Sequence, residues 1–469
     1  EEEEHEEGEH EGEEEEAFGV VENTAGETDG AAAAISFIGD NGFLGVSYST
    51  YDSLYGIPGH HHHEEEAVGG MEEEEEEFVS IDLEQSRVDV RGEYRFANSS
   101  ALRAKYARNN YEHVELEGDE IGTMFDSTGT DLRLEYQHRA FGDIEGAWGL
   151  QHKDIDFVAE GDEAFVPPSE TAQTSLFAFE EWQLDDTWTL QGSARLEQQS
   201  IDAPNLPGYD DEAFGASVGV VYSFASDYSL AANFALTERH PNATELYSDG
   251  AHLAVQRIER GSVTQGDGIF DKETSSNVDL TLRGESDRIE WSVTGFLNEV
   301  NDYIVLTPTG LFNVVEELQV FDYEQTDARL YGIEAEARIE LFDSADGHMH
   351  TRLFTDFVRG TDLNGGGNLP RITPLRYGIG LHYIKGGFEA AAEATFVSEQ
   401  DKIAANEIPT DSYTLLSAEV SYALENPQMF VFLRGTNLTD EDARQHTSPL
   451  KDIVPLPGRS LQLGLRYDF

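Results

Sequence analysis

Apolar and polar side chains alternate strictly in the C-terminal stretch of the chain. One set of alternate positions holds the apolar residues Leu461, Leu463, Leu465, Tyr467 and Phe469, and the other set is polar or small. Because successive side chains of an extended chain point to opposite sides, this pattern predicts a β-strand with one apolar and one polar face. A strand of this kind is typical of a transmembrane barrel, whose outer face contacts lipid while its inner face lines a polar lumen.

The same alternation recurs along most of the chain and is interrupted by polar stretches that are alternately short and long. A first hairpin is predicted where Asp40-Asn41-Gly42 separates two alternating runs. Short turns are predicted near 97–100, 141–143, 185–187, 226–227, 285–287, 343–347, 386–387 and 425–428. Long polar stretches lie near 60–80, 112–129, 160–170, 202–212, 239–274, 302–327, 360–374, 398–412 and 439–456. Short turns at one rim and long loops at the other are typical of bacterial outer-membrane barrels.

These patterns predict an all-β fold, a transmembrane antiparallel β-barrel of about 19 strands that occupies residues 1–469. Two acidic stretches that contain histidine, 1–16 and 60–80, are predicted as loops because neither shows an apolar periodicity. No stretch reaches the ~18–20 consecutive apolar residues of a membrane-spanning helix.

Two short runs before the last strand match a known sequence signature. The first run, Asn437 to Arg444, reads NLTDEDAR, and the second is Pro457-Gly458-Arg459. With these runs, Phe432–Phe469 closely resembles the C-terminal signature of TonB-dependent outer-membrane receptors. The matching residues are Asn437, Leu438, Asp440, Ala443, Arg444, Pro457, Gly458 and Arg459.

The resemblance implies a barrel of the 22-stranded type, with a plug in its lumen. It also implies that the N-terminal plug, the TonB box and about three opening strands are missing here, so that 1–16 belongs to the second extracellular loop of a longer precursor. The family implies localisation in the outer membrane of a Gram-negative bacterium and a monomeric barrel that contacts lipid and lipopolysaccharide. It further implies energy coupling by the TonB–ExbB–ExbD complex through the missing plug.

Charge and composition restrict the function further. The chain has 29 Lys and Arg against 94 Asp and Glu, a net charge of −65. Nucleic acid needs a basic surface, so this balance argues against a nucleic-acid partner and favours cations. There are no cysteines and 4 methionines, which leaves histidine and carboxylates as the main metal ligands. Solvation in a salty habitat explains part of the acidity.

The stretch Tyr55–Glu77 carries the sharpest candidate chemistry, four consecutive histidines followed by two runs of glutamate. Imidazole and carboxylate are common ligands of borderline divalent ions, and adjacent histidines in a loop suit capture with fast exchange. Such a loop also resembles those of the zinc-uptake branch of TonB-dependent receptors. The competing interpretation is a solvated loop with incidental metal affinity. The candidate ligands are His60, His61, His62, His63, Glu64 and Glu65, joined by His5 and His10 from the N-terminal acidic stretch.

A second candidate site lies in the run Ala243–Ala254, which resembles the start of the large seventh extracellular loop of this family. We expect its ligands above the lumen, and they are His240, Glu245, Asp249 and His252. Two further loop histidines, His113 and His446, are weaker candidates. Structural roles are assigned to the histidines in or near predicted strands and turns, which are His138, His152, His348, His350 and His382.

The available ligand types suit Zn²⁺, Ni²⁺, Co²⁺ or Cu²⁺ better than Cu⁺, and the preference for zinc rests on the family resemblance. The sequence has no nucleophile elbow, phosphate-binding glycine loop or zinc-protease helix. We therefore expect neither an enzyme nor a prosthetic group, and Zn²⁺ or another divalent metal enters as the transported ligand.

The sequence thus predicts a TonB-dependent receptor that transports a divalent metal across the outer membrane. An alternative in the same class is a receptor for a ferric siderophore, another metal chelate or a corrinoid, for which aromatic and basic loops would be expected. An alternative of another class is a passive porin or adhesin whose acidic loops bind cations. A soluble β-rich protein from a salty habitat is a third alternative, and it predicts extraction without detergent.

Overall fold

The computed structural model describes residues 21–68, 71–118, 120–139, 144–161, 164–405, 407–425 and 428–467. Within these ranges, the side chains of residues 59–68, 71–77, 253 and 425 are outside the description. The candidate ligands His5 and His10 lie outside the described residues.

The described chain is almost entirely β-strand. The strands of the first half are β1 Gly26–Gly39, β2 Gly42–Val68, β3 Met71–Arg95, β4 Ala101–Glu117, β5 Glu120–His138, β6 Ile144–Gly161, β7 Ser169–Gln183, β8 Trp188–Asp202, β9 Tyr209–Ala225 and β10 Tyr228–Arg239. An insertion then contains α1 Ala243–Tyr247, β11 Asp249–His252, a 3-10 turn Leu253–Val255, β12 Arg257–Arg260 and α2 Ser262–Gln265. The second half contains β13 Glu273–Glu285, β14 Ile289–Asn313, β15 Leu318–Ser344, β16 Gly347–Asp362, β17 Arg376–Lys385, β18 Phe388–Val397, β19 Tyr413–Glu425, β20 Gln428–Thr436 and β21 Ser460–Tyr467.

All of these strands belong to a 21-stranded sheet. Two of them, β11 and β12, are four residues long and lie in the insertion, which leaves 19 long strands in the wall, as the alternation predicts. Neighbouring wall strands pair antiparallel, and β10 pairs with β13 across the insertion. Within the described residues, β1 pairs only with β2 and β21 only with β20. The fold is the predicted antiparallel barrel.

The connections separate into a short-turn rim and a long-loop rim, as predicted. Short turns join β9 to β10, β15 to β16 and β17 to β18. The long connections include 240–272, 363–375, 398–412 and 437–459. No helix in the described part of the chain is long and apolar enough to cross a membrane.

The two faces of the wall differ in polarity. On the outer face, Leu176, Leu196 and Phe214 lie side by side on three neighbouring strands and are all exposed. On the inner face, Gln173 donates hydrogen bonds to Glu197 and Gln199 at 2.8 and 3.2 Å. An apolar outer face can contact lipid, and the polar inner side chains satisfy one another within the lumen.

The buried hydrophobic residues gather under the long loops rather than in one central core. The largest such cluster joins Ile201 and Tyr209 of the wall to Leu246 and Tyr247 of α1. Gln199, on the same inner face as Ile201, donates to the carbonyl of Pro241 at 3.0 Å. The insertion therefore packs against the inner face of the wall and forms a folded layer over the lumen.

The structure corrects the expectation that residues 60–80 form a loop. Here β2 continues through His60, His61, His62, His63, Glu64 and Glu65 to Val68, and β3 returns from Met71. Strands likewise extend through most of 112–129 and 302–327. The physical reason is that backbone pairing continues wherever both strands are long enough, whereas the loss of apolar alternation marks only the exit from the membrane.

Candidate functional site

The insertion between β10 and β13 begins with a firmly capped helix. The Asn242 side chain accepts a hydrogen bond from the Glu245 amide at 2.9 Å, and the Glu245 carboxylate accepts one from the Asn242 amide at 2.9 Å. This is a capping box, which satisfies two backbone donors at the start of α1. Glu245, a predicted metal ligand, therefore stabilises the first turn of α1 at the start of the insertion.

Arg239 fixes the same carboxylate to the wall. Its guanidinium donates to both oxygens of Glu245 at 3.0 Å and to Glu273 at 2.6 Å. The other oxygen of Glu273 accepts from the Ile304 amide at 2.8 Å. Both ends of the insertion are thus joined through one arginine, and metal ligation by Glu245 would compete with this bidentate ion pair.

His240 is buried beside the insertion. Its Nδ1 lies 2.6 Å from the Tyr209 hydroxyl, and the two rings meet edge to face. Burial lowers the pKa of His240, which favours the neutral imidazole. A neutral ring at this position can accept from the tyrosine and pack with it, but it has little access to solvent.

Glu259 on β12 is a buried carboxylate that makes three polar contacts in the second half of the insertion. It is 2% exposed and contacts His252 Nδ1 at 3.1 Å, the Arg257 guanidinium at 2.8 Å and the Tyr323 hydroxyl at 3.0 Å. Burial alone would raise the pKa of Glu259, but the hydrogen bond from His252 and the charge of Arg257 outweigh it and lower the pKa to about 2. The carboxylate therefore stays ionised, and it anchors the β11–β12 hairpin to β15.

His252 is the predicted ligand that the fold prepares best. Glu259 holds one ring nitrogen, the Phe165 ring stacks on the imidazole at 4.6 Å, and about a third of the side chain is exposed. In metal sites, a carboxylate commonly holds one nitrogen of a histidine and so orients the other nitrogen toward the ion. In this structure, Glu259 holds one ring nitrogen of His252 as in such metal sites.

Glu115 on β4 is a second carboxylate whose pKa the charge of His252 influences. A strand crosses the bilayer in about 9–11 residues, so Glu115, near the loop end of β4, lies beyond the membrane. Burial raises the pKa of Glu115 to about 7, while the charge of His252 lowers it and that of Glu117 raises it. The carboxyl is therefore partly protonated near neutral pH, and a cation beside it would favour the ionised form.

The four residues predicted in this segment do not converge on one point. Among the described residues, His240, Glu245, Asp249 and His252 do not bring three ligand atoms within 4.8 Å of one another. Asp249 is exposed, and its amide donates to the Phe165 carbonyl at 2.7 Å. The structure instead places His252 in contact with Glu259 across the β11–β12 hairpin, and the charge of His252 influences Glu115 on the distant strand β4.

The histidine-rich stretch forms the outer end of the β2–β3 hairpin. Its backbone register places His62 opposite Glu77 and His63 opposite Glu76. The next three pairs are glutamate opposite glutamate, and they are Glu64 with Glu75, Glu65 with Glu74 and Glu66 with Glu73. The hairpin therefore combines imidazole with a high density of carboxylates in adjacent strands.

One further ligand group escaped the sequence prediction. Ligand atoms of Glu340, His348 and His350 lie within 4.8 Å of one another, although both histidines were assigned structural roles. The available signal was the His-x-His spacing, which places both imidazoles on one face of a strand. Glu340 lies on the neighbouring strand, which only the pairing register reveals.

Comparison with known proteins identifies the family. Residues 22–438 match the family described as TonB dependent receptor-like, beta-barrel. The chain belongs to this family. It is a receptor family rather than an enzyme family, and its barrels lie in the outer membrane of Gram-negative bacteria. The assignment to a zinc-uptake branch remains a prediction.

Individual relatives of this TonB-dependent receptor barrel are distant. The vitamin B12 transporter BtuB of Photobacterium profundum is 21% identical over 273 residues, which are 57% of this chain and 38% of the relative. The chain therefore matches much less than two thirds of that protein's length.

Solved structures show the same fold at low identity. The copper transporter OprC has a TM-score of 0.79 at 16% identity, with 95% of this chain and 72% of that chain covered. The FrpB iron transporter from Neisseria meningitidis (F3-3 variant) has a TM-score of 0.74 at 12% identity, with 96% and 73% covered. These similarities support the barrel fold and leave the cargo to be argued from this chain's own residues.

Proposed function

We propose that this barrel belongs to a receptor that takes up a divalent metal ion, with Zn²⁺ as the first candidate, by TonB-dependent transport. The observation that carries the proposal is the register of the β2–β3 hairpin, which faces histidines and glutamates across two paired strands. Like charges directly opposite in a sheet destabilise the pairing. A divalent cation bound among these residues would remove that repulsion, so capture of the ion and ordering of the hairpin support each other.

The second step of the proposal is transfer to the folded layer above the lumen. The partly exposed imidazole of His252, which Glu259 orients and whose charge influences Glu115, is the best-prepared acceptor there. Loss of the Glu115 proton would supply a negative charge to the arriving cation. From this layer the ion would pass into the lumen, where the inner wall is polar.

The partners follow from the family. The TonB–ExbB–ExbD complex would supply the energy by acting on the plug that the family resemblance implies. The apolar outer face would contact lipid, with lipopolysaccharide around the long-loop rim, and the barrel would act as a monomer. None of these steps requires a prosthetic group.

The choice of a divalent metal as cargo rests on the donor set, and the preference for Zn²⁺ among such metals rests on the family resemblance. The similar proteins are named for copper, iron and vitamin B12, so the fold alone does not select a ligand. Imidazole with carboxylate, in a chain without cysteine, suits Zn²⁺, Ni²⁺, Co²⁺ or Cu²⁺. A ferric chelate or a corrinoid is the alternative cargo, and a passive porin or adhesin is the alternative class.

Competitive calorimetry of the full-length receptor in detergent tests the capture step. Zn²⁺, Ni²⁺, Cu²⁺ and a ferric chelate would be titrated into the wild type and into a variant with His60–His63 replaced by Ser. The control replaces two strongly exposed residues at the tip of a different hairpin, Val314 and Val315, by Ser. The proposal predicts stoichiometric Zn²⁺ binding that weakens only in the histidine variant, whereas binding of the chelate alone would overturn it.

A further inference from the structure

A row of histidine and glutamate side chains crosses the inner wall close to the short-turn rim. The strand register aligns Glu340 of β15 with His350 of β16, and His350 with His382 of β17. His348 precedes His350 by two residues and therefore shares its face of the sheet. The turn between β15 and β16 lies immediately beyond them, so this row is at the opposite end of the barrel from the histidine-rich hairpin.

The alternating residues show that this row faces the lumen. Leu353 and Ile379 are paired across β16 and β17, and both are exposed on the apolar outer face. Arg352 lies on the other face, where it forms a 2.8 Å ion pair with Glu336. Because His350 and Glu340 alternate in phase with Arg352 and Glu336, they belong to the polar inner face.

The distances among the three ligands fit one ion. Glu340 Oε2 and His348 Nε2 are 3.1 Å apart but are not aligned as a hydrogen bond, and this buried carboxylate oxygen has no hydrogen-bond partner among the described residues. Two ligands of a tetrahedral zinc ion with bonds of about 2.1 Å are separated by about 3.4 Å. The ligand atoms of Glu340, His348 and His350 already lie within 4.8 Å of one another, so small side-chain rotations suffice.

We propose that Glu340, His348 and His350 form a divalent-metal site on the inner wall of the barrel. Two histidines and one glutamate are a ligand set of zinc sites that keep a fourth position open. His382 adjoins this set, with its ring 4.8 Å from that of His350 and its Nε2 held by Glu389 at 2.7 Å. Such a carboxylate-held histidine is placed to ligate or to orient the ion.

The affinity of this site for a metal ion depends on how open the site is and on the neighbouring arginine that competes with the ion. His350 and His382 line an open pocket of about 350 Å³. The Arg338 guanidinium lies 3.2 Å from the other oxygen of Glu340 and donates a long, 3.4 Å hydrogen bond to His350 Nδ1. An ion must displace that weak bond beside a fixed positive charge, so the site suits exchange rather than permanent retention. The proposal of this wall site does not depend on the proposed transport function.

The test uses the full-length receptor in which His60–His63 are replaced by Ser, so that the hairpin does not mask the wall site. Co²⁺ binding is followed by visible absorption and by displacement with Zn²⁺. Glu340→Gln, and His348→Asn combined with His350→Asn, are expected to weaken binding by at least about tenfold. The matched control Glu336→Gln, on the same face of the same strand, is expected to bind as the parent does. Arg338→Gln is expected to tighten binding because it removes the competing charge.

Crystals of the receptor soaked with Zn²⁺ give a second measurement that does not depend on a variant's folding. An anomalous peak bounded by Glu340, His348 and His350 supports the proposal. Equal Co²⁺ affinity in the parent and in Glu340→Gln, or no anomalous peak on this wall, overturns it. Failure of metal uptake in cells would refute the transport proposal while leaving binding here intact.

Discussion

Glu259 Oε1 and His252 Nδ1 are 3.1 Å apart, and this contact joins the two strands of the insertion above the lumen. The carboxylate is almost fully buried, whereas the imidazole keeps about a third of its surface exposed. A buried anion thus holds an accessible base at the mouth of the barrel. The relationship links the stability of the insertion to the chemistry of its most accessible imidazole.

Glu259→Gln should loosen the insertion. The substitution removes the charge that pairs with Arg257 and His252, and hydrogen bonds to charged groups contribute about 1.5–3 kcal/mol. We therefore expect the local opening free energy of β11 and β12 to fall by about 2 kcal/mol, measured by amide hydrogen exchange. The control Glu299→Gln removes an exposed ion pair with Arg329 and should change exchange little. Equal protection in the two variants would contradict a structural role for Glu259.

Acid should open the long-loop rim only at low pH. Glu259 and Glu407 both have a pKa lowered from an ordinary value of 4.5 to about 2. For Glu407, burial opposes the shift, and hydrogen bonds from His446 and Lys451 outweigh it. A lowered pKa adds stability above the unfolded value, and that stability is lost as pH falls through the folded value. The hydrogen-exchange protection factors of this rim, which are corrected for the intrinsic slowing of exchange in acid, should stay high down to about pH 4.5 and fall below it.

Glu115 should show the opposite dependence. Its pKa is raised from 4.5 to about 7, so the stability it contributes is present below pH 4.5 and is lost as pH rises toward neutrality and above. Glu115→Gln is expected to make the loop end of β4 more stable than wild type at about pH 8 and equal to it near the unfolded pKa. Unchanged hydrogen exchange at the higher pH would show that burial of this carboxyl is not costly.

Arg239→Met should destabilise the barrel at the base of the insertion. It leaves Glu245 and Glu273, each with an 11% exposed side chain, without their cation. Because the Arg239 side chain is 43% exposed, the loss should be nearer to the contribution of hydrogen bonds to charged groups, about 1.5–3 kcal/mol, than to the cost of breaking a fully buried pair. Urea unfolding in detergent should show a loss of this size, compared with less than about 1 kcal/mol for Arg329→Met at an exposed pair. A similar loss in both variants would contradict the assigned role.

Asn437 explains part of the C-terminal sequence signature in physical terms. Its backbone has a φ of 45°, and its side chain accepts from the Glu441 amide and donates to the carbonyls of Glu441 and Pro457. Asn437→Gly keeps the backbone conformation accessible but removes these hydrogen bonds. It should therefore lower the free energy of unfolding by about 2–3 kcal/mol, and Asn437→Ala should lower it further. Equal stability of all three proteins would exclude this explanation.

The alternation along the chain was sufficient to predict the wall, the 19 long strands and the two unequal rims. It did not predict how far β2, β3, β14 and β15 extend, because backbone pairing continues beyond the membrane where side-chain polarity no longer alternates. Helix α1 was missed because a helix of one turn has no periodicity to detect.

The candidate site was predictable only in part. His252 was identified, but its two carboxylates were not. Glu259 follows only seven residues later and meets His252 through the β11–β12 pairing, whereas Glu115 lies far away in sequence on β4. Glu245 was proposed as a ligand, whereas its position three residues after Asn242 already matched a capping box. The His-x-His pair at His348 and His350 needed its strand partner Glu340 before it suggested a metal.

Zinc accumulation in cells tests the central claim most directly. Cells that produce the full-length receptor would be compared with and without functional TonB, at low external Zn²⁺. The account predicts that accumulation requires TonB and falls at least about tenfold when His60–His63 are replaced by Ser. Accumulation that is equal without TonB would indicate a passive pore. Accumulation unchanged by the histidine substitution would contradict capture by the β2–β3 hairpin.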